Sequence, residues 1–75
     1  LKKMDISKGL YKALETKYMS EIEDAKVRLA IYFEKSVAIG EHPQHTEEMD
    51  KLLSQISGAE DNLQSLKKYF IGYDN

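Results

Sequence analysis

Residues 37–43, Val-Ala-Ile-Gly-Glu-His-Pro, separate two long stretches of the chain in which apolar residues recur at helical spacing. Gly40 can take the left-handed conformation that follows the last turn of a helix, and Pro43 lacks the N–H that a helix interior needs. Pro43 is also favoured as the first residue of a new helix, because its missing N–H would have no partner there. A competing start is Thr46, whose hydroxyl can cap a helix that begins with two glutamates. The stretch therefore predicts the end of one helix and the start of another within a few residues.

The spacing of apolar residues on either side predicts the rest of the fold. It indicates a first helix over about residues 6–39 and a second over about 43–71, and no segment alternates with the period of a strand. At about 1.5 Å per residue the helices would be roughly 50 Å and 40 Å long. The turn at 40–42 is so short that the helices must be antiparallel neighbours. We therefore expect an all-α protein, a single αα-hairpin of two long antiparallel helices over residues 1–75.

Each predicted helix carries a line of apolar residues that can face the other helix. In the second helix the line is a heptad made of Met49, Leu52, Ile56, Ala59, Leu63, Leu66 and Phe70. In the first helix it comprises Tyr11, Leu14, Tyr18, Ile22, Ala25, Leu29 and Phe33. Two consecutive steps of four give the first helix a local eleven-residue repeat, so we expect only weak supercoiling of the pair.

A second apolar line lies on the first helix at Val27, Ile31 and Ala38. At about 100° per residue these side chains lie nearly opposite Ile22 and Leu29. One neighbouring helix cannot cover two opposite faces, and monomers avoid exposing a contiguous apolar patch. We therefore expect Val27, Ile31 and Ala38 to form the interface of a homodimer that is a four-helix bundle. An exposed groove for a different protein is the alternative.

Length and composition also favour a partner chain. A compact globule of 75 residues without cysteine buries only roughly 60% of its unfolded surface. The net charge of −2, from 11 basic and 13 acidic residues, gives no overall attraction to nucleic acid or anionic lipid. No stretch approaches the roughly 20 apolar residues of a membrane span, so we expect a soluble cytoplasmic protein without a membrane partner.

The first residues bear on where the protein begins. Leu1 precedes Met4, and an initiator methionine in front of leucine is not normally removed. A fragment, an alternative start codon and an over-extended gene prediction each account for this beginning, and Met4 is a candidate for the true first residue. We assign no function to residues 1–3.

Charge is distributed unevenly along the predicted hairpin. The basic end comprises Lys8, Lys12, Lys17, Lys67 and Lys68, and the acidic turn end comprises Glu34, Glu41, Glu47, Glu48 and Asp50. We expect these ends to be solvated and to orient two hairpins antiparallel, basic end to acidic end. The alternative is a phosphate-binding end formed by Lys8, Lys12, Lys67 and Lys68. Nucleic-acid sites usually add arginine, and the only arginine lies far from these lysines.

The cluster best suited to chemistry surrounds the predicted turn. His42, His45 and Glu48 are weak candidates for a metal site, with Glu41 as another third ligand. Their spacing matches no established metal motif, and extending the heptad backwards places both histidines at inward positions. We therefore expect the histidines to stack at the hairpin tip, and we expect neither a metal nor a cofactor.

Catalytic patterns are missing elsewhere in the sequence. The serines lie at helical positions without a nearby histidine, and the 4 glycines are isolated and form no phosphate-binding loop. Gly58, inside the second helix, indicates the close approach of a neighbouring helix or a slight bend. We expect no enzyme activity, and a metal-dependent enzyme ranks third among the functional hypotheses.

Residues 37–43, followed by Glu47-Glu48-Met49-Asp50-Lys51-Leu52, resemble a segment of small uncharacterised helical-hairpin proteins from tailed marine viruses. The resemblance implies a helical hairpin and, for a viral protein, the host cytoplasm; it implies no function. In architecture the hairpin is similar to the repressor-of-primer family, dimeric four-helix bundles that bind RNA, although the basic surface here is confined to one end. The leading hypothesis is a non-enzymatic, homo-oligomeric helical interaction or scaffolding module that binds itself and another protein. The alternative is a nucleic-acid-binding hairpin dimer of repressor-of-primer type.

Overall fold

The structure is a computed structural model, and it describes residues 6–39 and 43–74. Within these ranges it describes no side chain for residues 36–39, 43 and 44. The predicted turn at 40–42, including the candidate ligands Glu41 and His42, therefore lies outside the described residues. The side chain of Ala38 lies outside them as well.

Two helices pack against each other to form a hairpin. Helix α1 spans Ile6–Ile39, helix α2 spans Pro43–Phe70, and a 3₁₀ turn follows over Ile71–Tyr73. The all-α hairpin predicted from the sequence is confirmed, although Ile71, expected in the second helix, lies in the 3₁₀ turn. The molecule is a rod with principal extents of 58 × 26 × 15 Å.

The seam, the line along which α1 and α2 meet, follows a regular heptad on α1. The buried and partly buried residues on this heptad are Tyr11, Glu15, Tyr18, Ile22, Ala25, Leu29 and Tyr32, and Glu21 beside it is also partly buried. The sequence pattern places Leu14 and Phe33 on this line, but they are 40% and 65% exposed. Because α2 presents a strict heptad, α1 faces it with residues seven apart, and Glu15 and Tyr32 complete that spacing. The predicted eleven-residue repeat is therefore wrong.

The core along the seam is thin. Tyr11, Ala25, Ala59 and Leu66 are the buried residues among those whose side chains are described. The heptad of α2 lies against α1 as far as Leu66, whereas Phe70, at the last residue of the helix, is 51% exposed. Since Ala25 and Ala59 carry only a methyl group, the two backbones can approach closely at these positions.

Gly58 lies on the exposed side of α2. A Cβ atom added to Gly58 would meet no atom within 4 Å, so no other part of the described chain approaches it. The prediction that Gly58 marks the close approach of a neighbouring helix is therefore wrong within this hairpin.

Candidate interaction surface

The described surface displays more large apolar side chains than the described core buries. Four residues are buried, whereas twelve large apolar or aromatic side chains are exposed. The exposed set is Ile6, Leu10, Leu14, Met19, Val27, Ile31, Phe33, Leu53, Tyr69, Phe70, Ile71 and Tyr73. Most of these side chains fall in three places: the side of α1 opposite the seam, a groove near the turn, and a groove at the open end of the hairpin.

The back face of α1, defined here as Ala13, Thr16, Ser20, Val27 and Ile31, lies opposite the seam. Val27 and Ile31 are 58% and 47% exposed. Each is two residues away from the seam residue Leu29, and two residues rotate a side chain by about 200° around a helix. An ion pair of 3.1 Å between Arg28 Nε and Asp24 Oδ1 lies on the same surface of α1. Two of the three residues expected at the dimer interface therefore lie on the surface, facing away from α2.

The turn-end groove lies beside the seam, near the predicted turn. Its apolar lining is Leu29, Phe33, Met49 and Leu53, with Thr46 and Asp50 at the rim, and its volume is about 400 Å³. Phe33 and Leu53 are 65% and 54% exposed. A groove of this kind, apolar with a few polar groups at its edge, suits an apolar side chain of a partner better than a small polar substrate.

The open-end groove lies on the other side of the seam. It is lined mainly by Leu10, Tyr11, Leu14, Leu66, Phe70 and Tyr73. Leu14 precedes the seam residue Tyr18 by four positions, and Phe33 follows the seam residue Leu29 by four. Four residues correspond to a rotation of about 40° around the helix, so Leu14 and Phe33 are displaced from the seam in opposite directions. The two grooves therefore open on opposite sides of the hairpin and at opposite ends.

The four lysines of the candidate phosphate-binding end are only partly available to an anion. Glu15 lies between the helices, and its carboxylate oxygens are 3.5 Å from Lys12 Nζ and 4.0 Å from Lys67 Nζ. The ammonium group of Lys68 lies 5.3 Å from the ring centre of Tyr69. Lys8 and Lys12 line a cleft that also contains Asp74. Carboxylates of the same chain therefore reduce the positive charge at this end.

Tyr11 lies at the open end with its hydroxyl buried. The residue is 4% exposed, and the hydroxyl has no hydrogen-bond partner among the described residues. Burial raises the pKa of Tyr11 above its ordinary value of 10.0, and the negative charges of Asp74 and Glu15 act in the same direction. The hydroxyl is therefore neutral at physiological pH and is poorly suited to act as a base.

The candidate metal ligands are not brought together in the part of the chain that is described. The ring of His45 packs edge-on against Tyr32, with 5.6 Å between ring centres and 65° between planes. Glu48 is exposed and pairs with Lys51 at 3.6 Å. Among the described residues no three His, Cys, Asp or Glu side chains are placed to hold a metal ion. His45 thus takes the stacking position that the extended heptad predicts, while His42 lies outside the described residues.

Three features of this surface were not predicted from the sequence. Glu15 was not expected at the seam, although it lies seven residues before Ile22, and Gln55 was not expected to bond across it. The turn-end groove was missed because Phe33 was placed in the core. Tyr11, Tyr18, Ala25 and Tyr32 follow one another at seven-residue spacing. This regular heptad is the signal from which the exposure of Phe33 could have been predicted.

Comparison of the chain with protein-family models, curated proteins and solved structures gave no match. In the described ranges 6–39 and 43–74, no helix combines the length and apolar character needed to cross a membrane.

Proposed function

We propose that the chain is a non-enzymatic helical interaction module that works as a homo-oligomer. The observation that supports the proposal is the excess of exposed over buried large apolar side chains in the described residues. Removing such surface from water is the main favourable contribution to protein association. A second copy or another protein that covers these side chains would complete the core that one hairpin lacks.

The interface that we propose for self-association is the back face of α1, where Val27 and Ile31 are exposed. Ala38 has the same helical register in the sequence. Because this face is opposite α2, a second copy bound there gives an assembly of four helices with the two α1 helices in the middle. The turn-end and open-end grooves then stay accessible, and we propose them as sites for another protein.

Two features of the grooves support a binding role over a catalytic one. Both are open depressions beside the seam, and their linings are mainly leucine, methionine and aromatic side chains. Catalysis by side chains requires convergent acid, base or nucleophilic groups in a site that restricts water. Among the residues whose side chains are described, the turn-end groove offers only the hydroxyl of Thr46 and the carboxylate of Asp50 at its rim.

Nucleic-acid binding by the basic end is the second candidate function. Its support is the open cleft beside Lys8 and Lys12. Glu15 weakens this candidate, because it neutralises part of the charge that would otherwise release counterions from a phosphate backbone. Labelled RNA titrated at about 50 and 200 mM salt separates the candidates. Binding that persists at the higher salt and is lost in a Lys8→Glu, Lys12→Glu variant would favour nucleic acid.

The proposed homo-oligomer is tested by light scattering after size exclusion. We expect the mass of two chains at tens of micromolar, and replacing Ile31 with Asp should shift it to one chain, because a carboxylate in a covered apolar face is costly. Ser54→Asp is the matched control, since Ser54 is exposed on α2 away from α1 and gains the same charge. Circular dichroism should stay helical in both variants. A wild-type mass of one chain would refute the proposal.

A further inference from the structure

The back face of α1 differs between its two halves. Ala13, Thr16 and Ser20 lie in the N-terminal half, and Val27 and Ile31 lie in the C-terminal half. All five residues are exposed. Each lies two residues from a seam position, so all five lie nearly opposite α2. Asp24, which pairs with Arg28, lies between the two halves. Apart from this charged residue, the face changes along the helix from small side chains to large branched ones.

Resting on the homodimer proposed above, we infer that a second copy of this chain covers the back face with its own back face, and that the two α1 helices run antiparallel. In this arrangement Ile31 of each copy packs on Ala13 of the other. Val27 of each copy packs on Thr16 of the other. Both pairs are centred beside Ile22, so a single two-fold axis at that level satisfies both, as an isologous interface requires.

Packing favours the antiparallel over the parallel arrangement. Parallel helices would place Ile31 against Ile31 and Ala13 against Ala13, which separates the helices at one end and leaves space at the other. Interfaces pack as densely as protein interiors, so large side chains are best placed opposite small ones. The antiparallel arrangement places a branched side chain opposite a small one on both sides of the axis.

Charge on this face and at its edge favours the same orientation. The side chain of Lys12 is 76% exposed in spite of its 3.5 Å contact with Glu15. Glu34 is also exposed. Along α1, Lys12 and Glu34 lie on opposite sides of the two-fold axis beside Ile22, at distances from it that are equal to within about one helical turn. Antiparallel helices bring Lys12 of one copy near Glu34 of the other, whereas parallel helices bring Lys12 near Lys12. Single exposed ion pairs contribute little, so these charges select the orientation more than they strengthen the dimer.

Disulfide trapping tests the orientation, because the natural chain has no cysteine. Ala13→Cys and Ile31→Cys variants of different tag length are mixed in equal amounts, re-equilibrated and oxidised, and the covalent products are separated by mass. Antiparallel pairing predicts mainly the mixed product, since residue 13 meets residue 31. Products that mainly join two copies of the same variant would show parallel pairing. A statistical mixture of all products would show that there is no preferred orientation. Either result overturns the inference.

Charge exchange gives a second readout that does not depend on cysteine chemistry. Lys12→Glu should weaken the dimer severalfold, and adding Glu34→Lys to the same chain should restore it. Failure of the double variant to recover contradicts the pairing. These tests are separable from the homodimer proposal. If Ile31→Asp dissociates the dimer but unmixed disulfides dominate, only the orientation is wrong; if the wild type has the mass of one chain, both are wrong.

Discussion

The side-chain amide of Gln55 donates a 3.0 Å hydrogen bond to the backbone carbonyl oxygen of Glu21, across the seam between the two helices. Both residues are partly buried. Apolar heptads alone allow two helices to shift along each other by whole repeats. A directional hydrogen bond, by contrast, can form in only one alignment of the helices. Gln55 therefore fixes the register in the middle of the hairpin, and Glu15 with Lys67 supports it nearer the open end.

Replacing Gln55 with Ala should lower the free energy of unfolding by about 1 kcal/mol, the usual net contribution of a hydrogen bond. Urea denaturation at a fixed protein concentration measures the change. Gln64→Ala is the matched control, because Gln64 is exposed on the same helix and should change stability by less than about 0.5 kcal/mol. Equal effects of the two substitutions would show that the bond across the seam contributes nothing.

Replacing Glu15 with Leu should stabilise the hairpin by about 1 kcal/mol. The side chain of Glu15 is 16% exposed at a seam position, and leucine there would bury apolar surface against α2. The loss of its contacts with Lys12 and Lys67 costs less, because exposed lysine pairs contribute little. Glu23→Leu, at a side chain that is 69% exposed, is the control and should have little effect on the urea midpoint. A destabilised Glu15→Leu variant would show that the charge matters more than the packing.

Gly58→Ala should raise the free energy of unfolding by about 1 kcal/mol, the difference in helix propensity between the two residues. The added Cβ meets nothing within 4 Å in the hairpin, so no steric cost offsets the gain. Thermal unfolding followed by circular dichroism measures it, with Ser57→Ala as the neighbouring control. A lower midpoint for Gly58→Ala would mean that another chain approaches α2 at this residue in the assembly.

Stability should fall as the pH rises above about 10, and Tyr11 should account for part of the fall. Its pKa in the folded chain is raised from 10.0 by burial, with Asp74 and Glu15 adding to the effect. The unfolded chain therefore loses this proton at lower pH than the folded chain, and the stabilisation is lost through that range. The pKa of Lys17 is also raised, first by its hydrogen bond to Glu21, and it acts in the same direction.

Tyr11→Phe tests the contribution of the hydroxyl. Urea midpoints measured between pH 8 and 11 should decline less steeply in this variant, while the part due to Lys17 remains. At neutral pH the variant should be as stable as the wild type or more so, because the buried hydroxyl has no partner to lose. Tyr69→Phe, at an exposed tyrosine, is the control. An unchanged slope in Tyr11→Phe would contradict the assignment.

The sequence predicted the hairpin because Gly40 and Pro43 interrupt two long stretches of helical periodicity. From the sequence, Leu14 rather than Glu15 was expected at the seam. Hydrophobicity favoured leucine, but the seven-residue spacing of α2 selects Glu15, and that constraint comes from the neighbouring helix. The exposure of Val27 and Ile31 follows directly from periodicity. The turn-end groove could not be predicted from periodicity, because it depends on how Phe33 of α1 and Leu53 of α2 are aligned.

The rod shape of the hairpin, 58 Å long and only 26 by 15 Å across, determines how it moves through water. Hydrodynamic friction depends strongly on the longest dimension of a particle, so one hairpin diffuses like a heavier sphere. Two hairpins packed side by side keep nearly the same length while their mass doubles. Translational diffusion therefore slows only modestly on pairing, whereas rotation about the long axis slows greatly because the cross-section widens. Fluorescence depolarisation or nuclear spin relaxation that resolves rotation about this axis would consequently report self-association more sensitively than a diffusion coefficient.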